Sequence, residues 1–277
     1  MAIGRTITGT DADQMILGGP NDDTIFARAG DDIVLGNDGN DRLNGEIGFD
    51  NLYGGRGNDR LIGGTQNDNA YGQDGNDVLM GDSGRQTVKG TDFGSDNLNG
   101  GRGMDVLYQS DGNDTLTGGA DADMFFFKWQ DPMINLALGT GRSFSNLTDF
   151  DARQDKFMFD VAGLGKDANG ANFVNGGTGK AGSAAASFFK GATEGTNGES
   201  VMVLTDKAFA TGAQAVLEAN NEATGDFVIY FNTTVGVGSL LFVDALDTAH
   251  SIARFANIDS LSDLQNAAFD AGDFLFV

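Results

Sequence analysis

The sequence predicts a protein dominated by β-structure, in which a parallel β-roll with 18 residues per coil precedes a mainly β region with a few helices. Three observations predict this class. Residues 9–126 divide into thirteen consecutive units of nine residues, with one inserted residue over the whole span. The eighth position is a large apolar residue in twelve of the thirteen units, and the first six positions are rich in glycine. Two units complete one coil, and stacked coils bury what one repeat cannot bury alone.

Each unit approaches the pattern G-G-x-G-x-D-x-U-x, where U is the large apolar residue. The x-U-x triplet predicts a very short strand whose central side chain faces the core while its two neighbours face outward. The glycines before it predict turns, because glycine tolerates a positive φ. The predicted core column consists of Ile16, Ile25, Val34, Leu43, Leu52, Leu61, Ala70, Leu79, Val88, Leu98, Leu107, Leu116 and Phe125.

The aspartate at position six should recur along two rows, one on each side of the roll, at steps of 18 residues. Stacked coils lie about 4.8 Å apart, so neighbouring carboxylates repel unless a divalent cation lies between them. One predicted row is Asp23, Asp41, Asp59, Asp77, Asp96 and Asp114; the other is Gln14, Asp32, Asp50, Asp68, Gln86, Asp105 and Asp123.

Turn carbonyls should supply the remaining oxygen ligands of each cation. A site made only of oxygen atoms, with no cysteine or histidine, indicates Ca²⁺ rather than Zn²⁺ or Mg²⁺. We expect roughly eight calcium sites, about one for each well-formed pair of turns. The candidate carbonyl ligands belong to Gly18, Gly36, Gly39, Gly54, Gly57, Gly72, Gly75, Gly100, Gly103 and Gly118.

The segments GGRGNDRLI and GNDGNDRLN resemble the calcium-binding nonapeptides of the RTX (repeats-in-toxin, or hemolysin-type) family. The resemblance implies a parallel β-roll in which aspartate carboxylates and turn carbonyls of successive coils share each calcium ion. A disordered glycine- and aspartate-rich linker is the alternative, but disorder does not require an apolar residue at every ninth place.

Several units depart from the pattern. Gln14 and Gln86 replace the aspartate, which predicts weak or missing sites beside them in that row. Ala70 leaves a thin core, and the extra residue within 90–99 should offset the row near Asp96. Glycine positions are also taken by Pro20, Ala27 and Gln109.

Composition narrows the functional classes. The net charge of −23 divides into −14 for residues 1–126 (8 basic, 22 acidic) and −9 for residues 127–277 (9 basic, 18 acidic). Such acidity argues against binding nucleic acid or anionic membranes. The chain has no cysteine, no amino-terminal signal-peptide pattern and no apolar stretch of transmembrane length. We expect a lead-in over residues 1–8, the roll over 9–126 and a capping and secretion region over 127–277.

The region after the repeats should begin with an apolar cap made of Phe125, Phe126, Phe127 and Trp129, because a solenoid needs a lid over its last coil. A loop should follow over 131–146. Residues 146–165 resemble the strand pair that follows the repeats in serralysin-type carboxyl-terminal domains. Three carboxylates of this segment, Asp149, Asp151 and Asp155, are either ligands of a further ion or polar turn residues.

Further along, residues 163–200 are expected to be a flexible insertion. Strands are predicted over 201–204, 225–232 and 239–245, the last two antiparallel, and helices over 213–223, over 245–255 and from Ser260. The final residues, AGDFLFV, are similar to the end of type I secretion substrates, which implies an uncleaved export signal; a plain last strand is compatible with that interpretation.

No catalytic pattern stands out, so we predict that the protein is not an enzyme. His250 is the single histidine and lacks an HExxH partner; GDSG at 81–84 is explained by the repeat register. GTGKAGS lacks the spacing of a phosphate loop, while a glycosidase-like carboxylate pair is compatible with the residue types present.

The leading hypothesis is a secreted bacterial calcium-binding protein that folds outside the cell and acts in adhesion, biofilm, matrix or host contact. Its partners would be calcium ions, the type I secretion machinery and a cell-surface or matrix polysaccharide or protein. The layout is similar to small repeat-first proteins of plant-associated bacteria. The alternatives are a secreted enzyme with its site in 127–277, which a pocket lined by carboxylates would favour, and a calcium-dependent membrane-inserting or pore-forming protein.

Overall fold

The computed structural model describes residues 4–82, 94–110, 112–127, 144–159, 183–184, 188–191, 201–218, 227–243 and 249–276. The chain divides into two compact units, Met1–Phe126 and Phe127–Val277. Strands dominate the described residues, which contain two short α-helices. None of these helices is long and apolar enough to cross a membrane.

The first unit is a parallel β-roll, so the predicted fold class is confirmed. Odd-numbered strands pair side by side in one sheet and even-numbered strands in the other. Successive strands along the chain therefore alternate between two sheets. The strands are β1 Thr6–Thr8, β2 Met15–Gly19, β3 Thr24–Ala29, β4 Ile33–Asp38, β5 Arg42–Ile47, β6 Asn51–Arg56, β7 Arg60–Thr65, β8 Asn69–Asp74, β9 Val78–Asp82, β10 Asn97–Arg102, β11 Val106–Gln109, β12 Thr115–Ala120 and β13 Met124–Phe127.

The core of the roll is the predicted column of position-eight residues. Every described member of the column is buried, and Ile16, at 6% exposure, is the least buried of them. Ala70 lies in register between Leu52 and Leu98, so the small side chain is flanked by two leucines. Val88, the remaining member, lies outside the described residues. Core packing in this unit therefore comes from one side chain per nine residues.

The register between coils corrects one prediction. Up to Val78 the pairing step is 18 residues, as in Leu43 with Leu61. The next step is 28 in both sheets, because Leu98 pairs with Ala70 and Leu107 pairs with Leu79. The insertion is therefore ten residues rather than one, and it lies between β9 and β10.

The second unit contains strands, two helices and a 3₁₀ turn. Its larger strand group follows the order β17-β18-β19-β20-β21-β14, and β15-β22-β16 form a second group. The elements are β14 Ser145–Leu147, β15 Lys156–Phe159, β16 Ser183–Ala184, β17 Phe188–Gly191, β18 Val201–Leu204, α1 Gly212–Glu218, β19 Phe227–Asn232, β20 Val237–Val243, β21 Ala249–Phe255, α2 Leu261–Asn266, the 3₁₀ turn Ala271–Asp273 and β22 Phe274–Phe276.

Most described elements of this unit agree with the sequence prediction. β18, β19 and β20 are strands, and β19 and β20 are antiparallel. α2 begins after Ser260, whose side chain caps the helix by accepting the Asp263 amide. The helix predicted over 245–255 is wrong. Its described part is β21, which pairs antiparallel with β20, because a short apolar run cannot distinguish a helix from a buried strand.

Aromatic side chains form the core of the second unit. Phe157 stacks on Phe150 with ring centroids 4.3 Å apart and contacts Phe274 at 5.4 Å. Phe255 and Phe269 complete the cluster. Trp129, most of the predicted loop at 131–146 and most of the predicted flexible insertion at 163–200 lie outside the described residues.

Candidate metal sites along the repeats

The position-six aspartates form two hydrogen-bonded ladders. In each, the backbone N–H of one ladder residue donates to Oδ1 of the aspartate in the next coil, as from Asp41 to Asp59 at 2.7 Å. The same bond recurs along both sides of the roll at 2.6 to 3.1 Å. Neighbouring carboxylates are thus linked through backbone amides, and Oδ1 of each is already used.

The order of the ladders differs from the predicted order because of the ten-residue insertion. Asp77 donates to Asp105 and Asp68 donates to Asp96, each across 28 residues. The aspartates after the insertion therefore exchange rows. Asp68 is followed in its row by Asp96, and Gln86, where an interruption was expected, lies outside the described residues. The observed rows are Asp23, Asp41, Asp59, Asp77, Asp105, Asp123 and Gln14, Asp32, Asp50, Asp68, Asp96, Asp114.

The second carboxylate oxygen, Oδ2, has no hydrogen-bond donor in seven of these residues. Each of the seven Oδ2 atoms is buried from solvent. A buried carboxylate oxygen without a donor or cation is strongly unfavourable. The seven residues are Asp32, Asp41, Asp50, Asp59, Asp68, Asp77 and Asp105.

Glycines at position one form the space that six of these oxygens face, whereas position one of the Asp32 unit is Ala27. A Cβ placed on Gly36 would lie 2.3 Å from Asp41 Oδ2 and 2.5 Å from the Gly54 carbonyl oxygen. The same pair of acceptors surrounds Gly54, where the atoms are Asp59 Oδ2 at 2.3 Å and the Gly72 carbonyl at 2.7 Å. Carboxylate and carbonyl oxygens thus converge on a small volume that no side chain fills.

Equivalent spaces lie beside most of the position-one glycines. Among the predicted ligands, the carbonyls of Gly36, Gly54, Gly72, Gly100 and Gly118 face such a space. Sequence reasoning omitted Gly63 and Gly81, whose carbonyls serve Asp50 and Asp68 in the other row. Their recurrence at position one was the available signal.

The predicted ligands at position four stack in a separate column. Gly39, Gly57, Gly75 and Gly103 have positive φ, and a Cβ on any of them would meet neighbouring-coil backbone at 2.5 Å or less. These glycines are therefore favoured by the turn and by the close approach of coils, although Gln66 and Asp121 also take a positive φ at position four. Position two tolerates side chains at positive φ, as at Arg28.

The donor set fits a hard cation. Within the described ranges, no three carboxylate or histidine side chains converge on one point, so each space offers a carboxylate oxygen together with backbone carbonyls. Such all-oxygen sets suit Ca²⁺. A bound Ca²⁺ would neutralise the buried Oδ2 atom and coordinate the carbonyl oxygens. The facing oxygens are all acceptors, so they cannot hydrogen-bond to one another.

Burial shifts the titration of these aspartates. Removal from water, with repulsion between neighbouring carboxylates as a lesser cause, raises the pKa of Asp50 and Asp59 to about 6 and that of Asp77 to about 7. It raises the pKa of Asp68 to about 9. Without a cation, the ladders therefore retain protons near neutral pH.

Sequence reasoning missed a second ladder, the outer ladder, at position five. Here the side chain accepts from the backbone N–H of the following coil, so it runs opposite to the position-six ladder. Asn40 accepts from the Asn58 amide at 2.7 Å, and Asn58 from the Asn76 amide at 2.9 Å. The recurrence of Asp and Asn before the position-six aspartate was the signal.

The second unit contains a cleft of about 370 Å³ lined by Asp149, Asp151, Arg153, Asn257 and Asp263, among others. Its carboxylates take part in local turns and caps. Asp151 accepts the Arg153 amide at 3.0 Å, and Asp263 accepts from Ser260 at the start of α2. Of the three aspartates considered for a further ion, Asp155 is instead buried, and its Oδ2 accepts the Asp151 amide at 2.8 Å. This part of the structure supports the turn interpretation.

Fold and site together define a parallel β-roll with a cation-binding carboxylate ladder on each side. Comparison with known families agrees: the RTX calcium-binding nonapeptide repeat (4 copies) matches residues 8–43, 17–52, 53–85 and 91–126. The repeat region of this chain therefore belongs to the RTX calcium-binding nonapeptide-repeat family, as the sequence resemblance predicted.

Two further proteins are similar to this chain. Nodulation protein O of Rhizobium leguminosarum bv. viciae is 36% identical over 164 residues, covering 56% of each chain. This chain thus spans little more than half of that relative. The solution structure of the AlgE6R3 subunit from the Azotobacter vinelandii mannuronan C5-epimerase matches at 19% identity and a TM-score of 0.27, covering 96% of this chain and 80% of the other.

These comparisons correct one prediction. The sequence-based prediction that the protein is not an enzyme is wrong, because a matched structure is a subunit of an epimerase, which is an enzyme.

Proposed function

We propose that this protein is exported from a bacterium and that calcium binding outside the cell folds its repeats. The observation that carries the proposal is the set of seven buried Oδ2 atoms without donors, six of which face a glycine-lined space. The exception is Asp32, because position one of its unit is Ala27. Extracellular calcium sites have dissociation constants of about 10⁻⁴–10⁻³ M, so a cell interior poor in calcium leaves such sites empty.

Calcium binding is strong enough to control folding. A ten-fold excess of calcium over the dissociation constant contributes about 1.4 kcal/mol per site. Six sites then contribute roughly 8 kcal/mol, which is comparable with the usual stability of about 5–15 kcal/mol. Without calcium, buried carboxylates and glycine-rich turns oppose folding, so ion binding acts as the switch.

The decisive experiment is circular dichroism and thermal melting of the full chain with calcium, with EGTA and with magnesium in place of calcium. We expect the strand signal and cooperative melting to require calcium. Asp59→Asn should lose one bound ion by native mass spectrometry, whereas Asp38→Asn, an exposed residue that pairs with Arg56, should lose none. An identical signal and melting temperature in EGTA contradicts calcium-driven folding.

We further propose that the exported protein contacts a host or matrix surface, with a polysaccharide or protein partner. The similarity to a nodulation protein supports a role at the contact between a bacterium and a plant. Pull-down of purified cell-surface polysaccharide by the calcium-loaded chain tests this role. Binding that is equal with and without calcium would show that the folded repeats are not the contact surface.

Type I export is proposed from the terminal AGDFLFV segment. Deleting residues 261–277 should retain the protein inside the producing cell, and deleting residues 1–8 should not. Continued secretion of the carboxyl-terminal deletion contradicts this signal. Since the test measures location alone, it is independent of the calcium experiment.

A further inference from the structure

Within the described repeats, the space beside Gly81 is bounded by a serine hydroxyl instead of the glycine carbonyl that bounds the spaces beside Gly63 and Gly72. Beside Gly63 and Gly72, the space is bounded by an aspartate Oδ2 and a glycine carbonyl of the next coil. Beside Gly81, a Cβ would lie 1.9 Å from Asp96 Oδ2 and 2.8 Å from Ser110 Oγ. The second atom at this position is therefore a hydroxyl.

This exchange changes the chemistry of the space. A carboxylate oxygen and a carbonyl both only accept, so they require a cation between them, whereas a hydroxyl also donates. Ser110 Oγ lies 3.4 Å from Asp96 Oδ2 and 3.0 Å from Asp114 Oδ2, and the Ser110 amide donates to Asp114 Oδ2 at 3.1 Å. Accordingly, Asp96 and Asp114 are absent from the set of buried oxygens without donors.

The local backbone shows why this residue reaches the ladder. Ser110 follows Gln109, which occupies the position-one place of its unit. β11 ends at Gln109, whereas β10 and β12 continue through the corresponding glycines. The chain leaves β11 two residues earlier than it leaves β10 and β12, and position two then contributes its side chain to the space.

We propose that Ser110 replaces a calcium ion at the Asp96–Asp114 step, so that this row binds calcium beside Asp50 and Asp68 and is closed by a protein donor beyond them. The inference rests on the proposed calcium function. It predicts that removing the Ser110 hydroxyl creates a site, which is the opposite of what removal of a calcium ligand does.

The test counts calcium ions bound to the full-length protein by native mass spectrometry and by isothermal titration. Ser110→Ala should bind one more ion than the unmodified chain, because Asp96 Oδ2 loses the Ser110 hydroxyl as its donor while its neighbours stay in place. Ser110→Gly, which restores the residue favoured at position two, should show the same gain. Ser95→Ala is the matched control, since the Ser95 hydroxyl accepts only the Asn113 amide in the outer ladder, and its count should not change.

The outcomes separate the two hypotheses. A lower count in both Ser110 variants would identify Ser110 as a calcium ligand, and an unchanged count would show that the hydroxyl does not control a site; either result overturns the inference. If the unmodified chain binds no calcium, the proposed function fails as well. If Ser110→Ala does not fold, the count for Ser110→Gly decides.

Discussion

Most position-six aspartates assign their two carboxylate oxygens to different tasks. Oδ1 accepts a backbone amide from the neighbouring coil, as Asp59 Oδ1 does from Asp41. Oδ2 faces a glycine carbonyl across a space that a methyl group would fill, as at Gly54. One residue type therefore both joins the coils and contributes to a cation site. Replacement by asparagine preserves the first task and removes the charge needed for the second.

The pH dependence of the calcium-free protein follows from the raised pKa values. Folded values of about 6 for Asp59 and about 7 for Asp77 exceed the unfolded value near 3.9. The folded state then binds more protons, so this stability is fully present below the unfolded pKa and is lost as pH rises through 6 to 7. In chelator-treated protein, which lacks cooperative melting at neutral pH, we expect the strand signal in circular dichroism to be larger at pH 5 than at pH 8.

Calcium should reverse this trend because it binds the ionised carboxylates in competition with protons. Calcium affinity should therefore rise from pH 6 to pH 8, with protons released on binding. Titration calorimetry in two buffers of different ionisation enthalpy measures that release. Zero proton release at pH 6.5 would contradict protonated ladders.

Position five gives a prediction about one side chain of the outer ladder. Phe49 occupies this position and is 50% exposed. Its phenyl ring offers no acceptor, whereas the side chains of Asn40 and Asn58 each accept an amide. Phe49→Asn should supply an acceptor for Asn67 in the next coil and stabilise the roll by about 0.5–1.5 kcal/mol. Chemical denaturation in saturating calcium measures the change.

The matched control is Ile47→Asn, in the same unit. Ile47 is also exposed, at 55%, but it lies outside position five and supplies no ladder acceptor. If both substitutions have equal effects, relief of apolar exposure explains the gain, and the outer ladder contributes nothing measurable.

At the scale of elements, the ten-residue insertion leaves the sheets in register. β10 pairs with β8, and β11 pairs with β9, as though the inserted residues were absent. Deleting residues 84–93 should therefore restore a uniform 18-residue step with unchanged ion count and cooperative melting. Circular dichroism in calcium and native mass spectrometry check both outcomes.

Deleting ten residues inside the regular repeats is the corresponding control. Removal of residues 64–73 is not a multiple of nine, so it moves the apolar column out of register with the core. This variant should lose cooperative melting. If removal of 84–93 is equally damaging, the inserted segment is part of the roll's stability.

At the scale of the whole molecule, the two compact units use different sources of stability. The roll combines one apolar residue per nine with carboxylate ladders, whereas residues 127–277 pack an aromatic cluster around Phe157. Phe157→Ala should therefore destabilise the second unit by about 3–5 kcal/mol while leaving the number of bound calcium ions unchanged.

Tryptophan fluorescence during urea denaturation, together with ion counting, tests this division. Leu217→Ala is the control, because Leu217 is 84% exposed and its truncation should change the stability little. Loss of ions in Phe157→Ala would show that calcium binding in the repeats depends on the aromatic cluster.

The sequence by itself determined the roll, its apolar column and the chemistry of its ligands. A nine-residue period with one apolar residue and one aspartate is strictly local information, and Leu43, Leu52 and Leu61 occupy the core as predicted. The helix expected over 245–255 shows the limit of such patterns, since β21 is fixed by pairing with β20.

Only the tertiary structure decided which carboxylates are neighbours. The sequence places Asp77 and Asp96 one residue more than two units apart. The structure instead pairs Asp77 with Asp105 and Asp68 with Asp96. The reason is that register is set by backbone hydrogen bonds and core packing between coils, which depend on contacts across 28 residues. Whether Ser110 closes a calcium site likewise depends on three-dimensional approach to Asp96 and Asp114, which no spacing along the chain encodes.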